Sequence, residues 1–257
     1  MTRMCFKSFA AVLPAVLLSV AASSALAEVI VLKPSQDTTI LGDEVTYASG
    51  AGDLFIGNTA GSSIRRSLLR FDLSAIDAGM KVIDASLTVV VNRVAPGAFT
   101  TPATLHRVSQ SWGEGGSNPG GSGGGDLATN GEATWTLRFF GDATSAWTTP
   151  GASYDSDASA STVLGGTGSY SWTGAGLVSD LNDWLANPAS NFGWALIGDE
   201  ANSRTARRIY SRETAEDFLR PSLQLTLAPI PEPTTYAMFG VGALILALGL
   251  RRSSNQR

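Results

Sequence analysis

The chain has 257 residues, a formal net charge of −4 and 28 glycines, and only 16% of its residues are charged. The acidic balance argues against the basic face that nucleic-acid binding requires, so we expect no nucleic-acid partner. Abundant glycine and few charges are typical of a turn-rich extracellular β-protein and argue against a helical one.

The chain begins with the pattern of a secretory signal peptide. Arg3 and Lys7 give a positive start, residues 9–20 form an apolar core, and Ala25-Leu26-Ala27 is a small-x-small cleavage site. We therefore predict a signal peptide over residues 1–27. A first transmembrane helix is the alternative, but the apolar core is short and the cleavage site is good.

The mature chain has no thiol, because the only cysteine is Cys5, inside the predicted signal peptide. A disulfide, a thiolate metal ligand and a cysteine nucleophile are therefore all excluded after cleavage. Residues 28–228 are long enough for one large β-domain with a real core. That core alone must hold the domain together.

Short strand patterns dominate residues 28–228. The clearest is in residues 86–92, where Leu87, Val89 and Val91 share one face, and residues 222–227 show the same alternation. About ten such strands, one helix and long loops predict an all-β, jelly-roll-type two-sheet β-sandwich. Three tryptophans with apolar neighbours are predicted to lie in its core: Trp172, Trp184 and Trp194.

Two stretches depart from the strand pattern. Residues 113–131 are rich in glycine and serine and cannot bury enough apolar surface to order themselves, so we predict a long surface loop. Leu177, Leu181 and Trp184 fall at helical spacing, and Asn187-Pro188 would end that helix. We therefore predict one helix between the strands.

The order of these pieces resembles the DNRLRE domain, which is related to carbohydrate-binding module family 96. The resemblance spans nearly all of the mature region, including the predicted helix. The matching stretches are residues 66–74 (RSLLRFDLS), 84–88 (DASLT), 108–114 (VSQSWGE), 133–135 (ATW), 146–151 (AWTTPG), 192–197 (FGWALI), 210–213 (YSRE) and 220–223 (RPSL). The resemblance implies a β-sandwich over residues 28–228 and, as its activity, glycan binding.

The end of the chain combines three features in a fixed order. Pro231-Glu232-Pro233 cannot join a helix or a sheet, residues 234–250 are apolar and uncharged, and Arg251-Arg252 follow. The apolar run is at the short edge of what spans a bilayer, and the arginines after it place that end in the cytoplasm. We predict a transmembrane helix over about residues 234–250; a core helix of a soluble domain is the alternative.

This tail, residues 229–257, resembles the PEP-CTERM sorting signal of Gram-negative bacteria. In that family the signal is read by an exosortase, a membrane cysteine protease. The resemblance implies transient anchoring in the inner membrane, cleavage near the Pro-Glu-Pro triplet, and release toward the cell surface or an exopolysaccharide matrix such as a biofilm. The implied partners are an exosortase and extracellular polysaccharide.

Few residues are candidates for catalysis. His106 is the only histidine, so neither a Ser-His-Asp arrangement nor a multi-histidine metal site can be built around more than this residue. Glu114, Asp126 and Asp142 offer carboxylates for glycoside hydrolysis, but nothing in the sequence sets two of them at the required separation. We expect no enzyme. A matrix polysaccharide lyase or hydrolase is the alternative, which His106 beside a tyrosine and an arginine would favour.

No cofactor is expected, although two oxygen-rich turns are candidates for a structural calcium ion. Asp155-Ser156-Asp157 has alternating oxygen ligands, but it lacks the glycine and the final acid of an EF-hand loop. Asp199-Glu200 lies beside Asn202 in a second such turn. Ordinary surface turns are the alternative for both.

The candidate glycan-binding residues are aromatic and basic. Sugar C–H groups pack on aromatic faces, and Trp112 and Trp147 lie beside loops with Tyr154 nearby. These tryptophans either form an exposed platform or pack beneath the long loops. If Arg66, Arg208 and Arg212 converge, they could bind uronate carboxylates through their two-pronged donors; the alternative is that Arg212 forms a structural ion pair with Glu213 or Asp72.

Overall fold

The structure is a computed structural model that describes residues 27–119, 121 and 123–230. Ala27, the last residue of the predicted cleavage site, is exposed and immediately precedes the first strand. Ala25 and the rest of the predicted signal peptide, the Pro-Glu-Pro triplet, the transmembrane helix predicted over about residues 234–250 and the terminal arginines lie outside the described residues.

The described residues form thirteen β-strands and one α-helix, which confirms the predicted all-β class. The helix, α1, spans Ala175–Ala186, and short 3₁₀ turns occur at Pro188–Ser190 and Asp217–Leu219. The strands are β1 (Glu28–Leu32), β2 (Pro34–Leu41), β3 (Tyr47–Ala48), β4 (Leu54–Asn58), β5 (Ile64–Phe71), β6 (Met80–Val94), β7 (Thr101–Arg107), β8 (Asp126–Leu127), β9 (Ala160–Leu164), β10 (Gly168–Thr173), β11 (Trp194–Ile197), β12 (Arg207–Ile209) and β13 (Ser222–Pro229).

The strands form two antiparallel sheets that share β4, consistent with the predicted sandwich. The first sheet has the order β1-β13-β6-β12-β4, with β10 also paired to β6. The second runs β8-β3-β2-β5-β11-β7-β9. Strand β4 pairs with β12 in the first sheet and with β5 in the second, so backbone hydrogen bonding continues from one sheet to the other.

The main core lies between the two sheets and α1. Leu87, Val89 and Val91 of β6 are buried there, as their alternation predicts, because successive side chains of a strand point to opposite faces. The predicted core tryptophans are also buried, and the rings of Trp184 and Trp194 lie 4.5 Å apart. The predicted helix is confirmed, with its apolar face in this core.

A second apolar cluster covers the opposite face of the second sheet. Strand residues such as Leu68 and Ala195 pack there against the segment that connects β7 to β9. The members that this segment supplies are Val108, Trp112, Ala133, Trp147 and Ala152, with Trp135 and Tyr154 partly buried beside them. The second sheet is therefore covered on both faces.

The loop predicted over residues 113–131 follows the surface but is tied firmly to the sheets. It contains the short strand β8, which pairs with β3. Glu132, which is completely buried, accepts hydrogen bonds from the backbone N–H groups of Gly50 (2.9 Å) and Thr129 (2.8 Å) and from the backbone and hydroxyl of Ser117. The buried carboxyl group of Glu132 therefore helps to order residues 113–131, which have too little apolar surface to form a core of their own.

Candidate functional site

Three carboxyl groups meet beside the middle of β2. Asp37 belongs to β2, Glu114 to the β7–β9 connection and Glu213 to the loop after β12, and one carboxylate oxygen from each lies within 4.8 Å of the others. The backbone N–H of Asp37 donates to Glu114 Oε1 at 2.7 Å. The three segments are distant in sequence, so the fold creates this carboxylate cluster.

Arg212 is the cation that the structure places against the carboxylate cluster. Its backbone N–H donates to Asp37 Oδ2 at 2.8 Å, and its Nη1 donates to Glu114 Oε2 at 2.7 Å. The same Nη1 lies 3.5 Å from Glu213 Oε1. The guanidinium therefore contacts two of the three carboxyl groups, and the backbone N–H of the same residue contacts the third.

Burial makes ionisation of Asp37 and Glu114 unfavourable. Asp37 is 0% exposed, and burial raises its pKa well above the usual value, with the carboxylate of Glu213 raising it further. Burial also raises the pKa of Glu114, although the N–H of Asp37 and the guanidinium of Arg212 oppose that change. Asp37 Oδ1 is buried and has no hydrogen-bond partner.

A small depression adjoins the carboxylate cluster on the solvent side. It has a volume of about 200 Å³ and is lined by Glu213 and by residues of the β3–β4 and β12–β13 connections, among them Asp53, Ser211 and Thr214. Glu213 is the most exposed of the three acids. Water and small ions can therefore reach the cluster from this side.

The two turns predicted as calcium candidates do not gather ligands in the structure. Asp155 and Asp157 are exposed. Asp199 accepts hydrogen bonds from Ala201 and Asn202 within its own turn, so its carboxylate is already used there. Glu200 of that turn is paired with Arg66. Within the described residues, the group of acids suited to an ion is the carboxylate cluster instead.

Trp112 and Trp147 lie in the second apolar cluster and are each 4% exposed. The indole N–H of Trp112 donates to the carbonyl of Phe192 at 2.8 Å, and that of Trp147 to the carbonyl of Thr134 at 2.9 Å. Neither ring offers a face to solvent. The exposed platform considered for these residues is therefore replaced by the alternative, packing beneath the loops.

Arg66 is held by structural contacts on the second sheet. Its Nε and Nη2 donate to the two carboxylate oxygens of Glu200, at 2.6 and 2.8 Å, and its Nη1 donates to the carbonyl of Gly151. The guanidinium carbon also lies 4.8 Å from the ring centre of Trp135 and 5.4 Å from that of Tyr154. Arg66 is therefore engaged in a two-pronged ion pair with Glu200.

His106 lies beside a tyrosine and near an arginine, the arrangement that would favour an enzyme. Its ring is 5.1 Å from that of Tyr154, against which Arg66 also packs. However, both ring nitrogens of His106 have partners, the carbonyl of Asp155 at 2.9 Å and the hydroxyl of Thr104 at 3.0 Å. Proton transfer to a substrate would require one of these contacts to break first.

The other acids considered for hydrolysis do not pair across a cleft. Asp126 and Asp142 are exposed, and Asp142 accepts hydrogen bonds from Thr144 in its own turn. Glu114 belongs to the carboxylate cluster, where its partner is Arg212. The structure therefore brings Glu114 together with Asp37 and Glu213, and not with the loop acids considered beside it.

Arg208 lies on the first sheet, away from Arg66, in a row that crosses three strands. It is the direct register partner of Phe55 on β4 and of Arg93 on β6. Its Nε donates to Asn92 Oδ1 at 2.7 Å and lies 3.2 Å from Asp53 Oδ2. In the part of the chain that the structure describes, Arg93 is exposed and forms no ion pair.

This row of Phe55, Arg208 and Arg93, the arginine row, forms part of a shallow groove. The groove has a volume of about 260 Å³, and its other walls include Thr59 and Pro96. The sequence pattern indicated Arg208 as a candidate but not Arg93 or Phe55. Only the pairing register, which no local pattern carries, brings these three side chains together.

A larger cavity of about 600 Å³ lies at the end of the sandwich where the described chain ends. Its lining is mostly apolar, with Trp184, Met80 and Ile230, and it also includes Arg70 and Asp72. Charges of both signs are therefore present at its rim. This mixture favours neither anions nor cations.

Comparison with known families identifies the tail. Residues 229–253 match the model of the PEP-CTERM protein-sorting motif, which confirms that part of the predicted resemblance. The motif implies exosortase-dependent secretion and sorting to the cell surface. No curated protein matches the chain.

The sorting motif follows the sandwich without a spacer. Strand β13 continues to Pro229, the first matched residue, and the N–H of Ile230 donates to the carbonyl of Gly79 at 2.7 Å. Among the described residues, no helix has the length and apolar character needed to cross a membrane.

Proposed function

We propose that the protein is a non-catalytic module of the cell surface or extracellular matrix that binds an acidic glycan. The apolar segment predicted as a transmembrane helix at about residues 234–250 would hold it in the inner membrane until an exosortase releases it. The sorting motif supports an extracellular destination, and the resemblance to the DNRLRE domain and carbohydrate-binding module family 96 supports a glycan as ligand. The arginine row is the observation that carries the proposal.

Arg93 of β6 and Arg208 of β12 lie directly opposite each other, which is unusual for two like charges on neighbouring strands. Like charges in that position destabilise a sheet. Asp53 compensates Arg208, whereas Arg93 has no acidic partner among the described residues. A carboxylate bound between the two guanidinium groups would relieve the repulsion through charge-assisted, two-pronged hydrogen bonds. Uronates, the acidic units of many matrix polysaccharides, carry such a group.

The shape of the groove suits a polymer more than an enclosed small molecule. Pockets for drug-sized ligands usually exceed about 300 Å³ and surround most of the ligand, whereas this groove is shallow and about 260 Å³. One or two sugars of a polysaccharide can bind in the groove, and the rest of the polymer can extend beyond it on both sides. The exposed Pro96 offers apolar surface for sugar C–H groups beside the arginines.

Substitution of Arg93 by glutamine is expected to weaken binding of polyuronates such as alginate or pectin about tenfold, since one charge-assisted contact is worth roughly 1.5–3 kcal/mol and its loss is partly offset. The temperature of thermal unfolding should be equal or slightly higher, because Arg93 makes no ion pair that the variant would break and the variant removes the like charge opposite Arg208. Isothermal titration calorimetry at two salt concentrations measures the effect, and the affinity should fall as salt rises.

Arg70→Gln is the matched control, because Arg70 lines the larger cavity of mixed charge. Equal affinity of the Arg93→Gln, Arg208→Gln double variant and the unmodified protein would contradict the arginine row as the site. If only Arg70→Gln loses affinity for polyuronates, the glycan-binding site lies at the larger cavity. Absence of binding to any acidic glycan would leave a structural matrix protein.

A polysaccharide lyase is the second candidate, because His106, Tyr154 and Arg66 lie together. Elimination at a uronate needs a base and a proton donor beside the sugar, and histidine and tyrosine can fill these roles. Incubation with polyuronates and measurement of unsaturated products by ultraviolet absorbance tests it. Product formation that disappears in His106→Ala would establish an enzyme and overturn the non-catalytic proposal.

A further inference from the structure

When ionised, the three acids of the carboxylate cluster carry more negative charge than Arg212 neutralises. Asp37, Glu114 and Glu213 share one arginine, Arg212, whose guanidinium contacts the last two acids. Asp37 receives only a backbone N–H at Oδ2, while its Oδ1 is buried without a partner. A buried carboxyl oxygen without a hydrogen-bond partner costs free energy. A bound cation beside Asp37 would lower that cost.

The spacing of the three oxygens fits a metal ion. Calcium binds oxygen ligands at about 2.3–2.6 Å, so ligands on opposite sides of the ion are separated by about 4.6–5.2 Å. The three carboxylate oxygens lie within 4.8 Å of one another, which is inside that limit. All three donors are hard carboxylate oxygens, the type that calcium and magnesium prefer over nitrogen or sulfur.

We propose that Asp37, Glu114 and Glu213 bind a calcium ion. Calcium is favoured over magnesium because it accepts irregular geometry and six to eight ligands, whereas magnesium demands a nearly ideal octahedron. The depression beside Glu213 gives the ion a route from solvent and space for water molecules that complete its coordination. Asp37 Oδ1, buried and without a hydrogen-bond partner, is free to serve as a ligand.

The ion would connect three separate parts of the fold. Its ligands come from β2, from the start of the β7–β9 connection and from the loop before β13. Glu114 lies two residues after Trp112, a member of the second apolar cluster, so the ion would also fix the entrance of the segment that covers the second sheet. The mature chain has no disulfide, and this site supplies a comparable link. Asp53 lines the depression beside the cluster and also pairs with Arg208, so the proposed calcium site and the arginine row are neighbours.

The test uses the full chain, purified in detergent and stripped of metal with a chelator. Titration with CaCl₂ should show one ion per chain, with MgCl₂ binding more weakly. At a calcium concentration about a hundredfold above the dissociation constant, the midpoint of thermal unfolding should rise by about 5–10 °C. Terbium should also bind and luminesce on excitation of tryptophan, with calcium displacing it.

Two variants and one control locate the ion. Glu213→Gln should weaken calcium binding at least tenfold, and because Glu213 is partly exposed the variant should fold. Asp37→Asn should abolish binding. Asp157→Asn, in the exposed turn that also offers oxygen ligands, should bind calcium as the unmodified chain does.

Several outcomes would overturn the proposal. No heat and no thermal shift at about 10 mM CaCl₂, well above the range of weak extracellular sites, would exclude the ion. Loss of binding in Asp157→Asn but not in Glu213→Gln would place it elsewhere. Equal affinity for magnesium would reject calcium as the specific ligand. A calcium-insensitive chain that Asp37→Asn stabilises would identify Asp37 as a neutral acid that shares a proton with its neighbours.

Discussion

Replacing Glu132 by alanine is expected to lower the free energy of unfolding by about 4 kcal/mol. The carboxyl group is completely buried and accepts hydrogen bonds from the backbone of Gly50, Ser117 and Thr129 and from two hydroxyl groups. Each buried donor that loses its only acceptor costs roughly 1–3 kcal/mol, and partial entry of water recovers some of the total. Denaturant unfolding followed by tryptophan fluorescence measures the change.

The exposed Glu44→Ala variant is the control and should change stability by less than about 0.5 kcal/mol. Hydrogen exchange distinguishes a local effect from a global one. If Glu132 anchors the loop, the amides of Gly50, Ser117 and Thr129 should lose protection before those of β6. A variant as stable as the unmodified protein would show that the glycine-rich stretch is held by other contacts.

Local patterns in the sequence were sufficient for the elements of the main core. The alternation of Leu87, Val89 and Val91 and the helical spacing of Leu177 and Leu181 depend only on the geometry of one strand or one helix. Both patterns therefore predicted the correct face. The two sheets follow because many short amphipathic strands must bury their apolar faces against one another.

Local patterns could not predict how Glu132 orders the loop of residues 113–131. Composition indicates that residues 113–131 have too little apolar surface to order themselves, and this part of the inference is correct. Composition, however, takes into account only contacts among the residues of the stretch itself. In the structure the stabilising group lies just outside it, and Glu132 reaches Gly50 across 82 positions of sequence.

The candidate sites could not be predicted from the sequence for a related reason, because each depends on contacts between remote segments. Arg93 and Arg208 face each other only because β6 and β12 pair in one register, and a shift of one residue would place the side chains on opposite faces. The carboxylate cluster likewise joins three remote segments. By contrast, the sorting motif was recognised from sequence because its three features follow one another along the chain.

Trp147→Ala is expected to destabilise the protein by about 3–5 kcal/mol, the usual cost of removing a buried aromatic side chain. Trp147 fills the second apolar cluster, and its indole N–H satisfies the carbonyl of Thr134. Trp147→Phe keeps most of the packing and should cost less, about 1–2 kcal/mol for the unpaired carbonyl. Denaturant midpoints of the three proteins give the comparison.

Phe218→Ala is the control, because this ring is 78% exposed and its loss should change stability by less than about 0.5 kcal/mol. The Trp147 variants also separate folding from glycan binding. If Trp147 is a core residue, any polyuronate binding should fall only by the unfolded fraction, and Trp147→Phe should bind normally. A Trp147→Ala protein that remains fully folded but no longer binds would instead require that the β7–β9 connection opens and exposes this indole to the glycan.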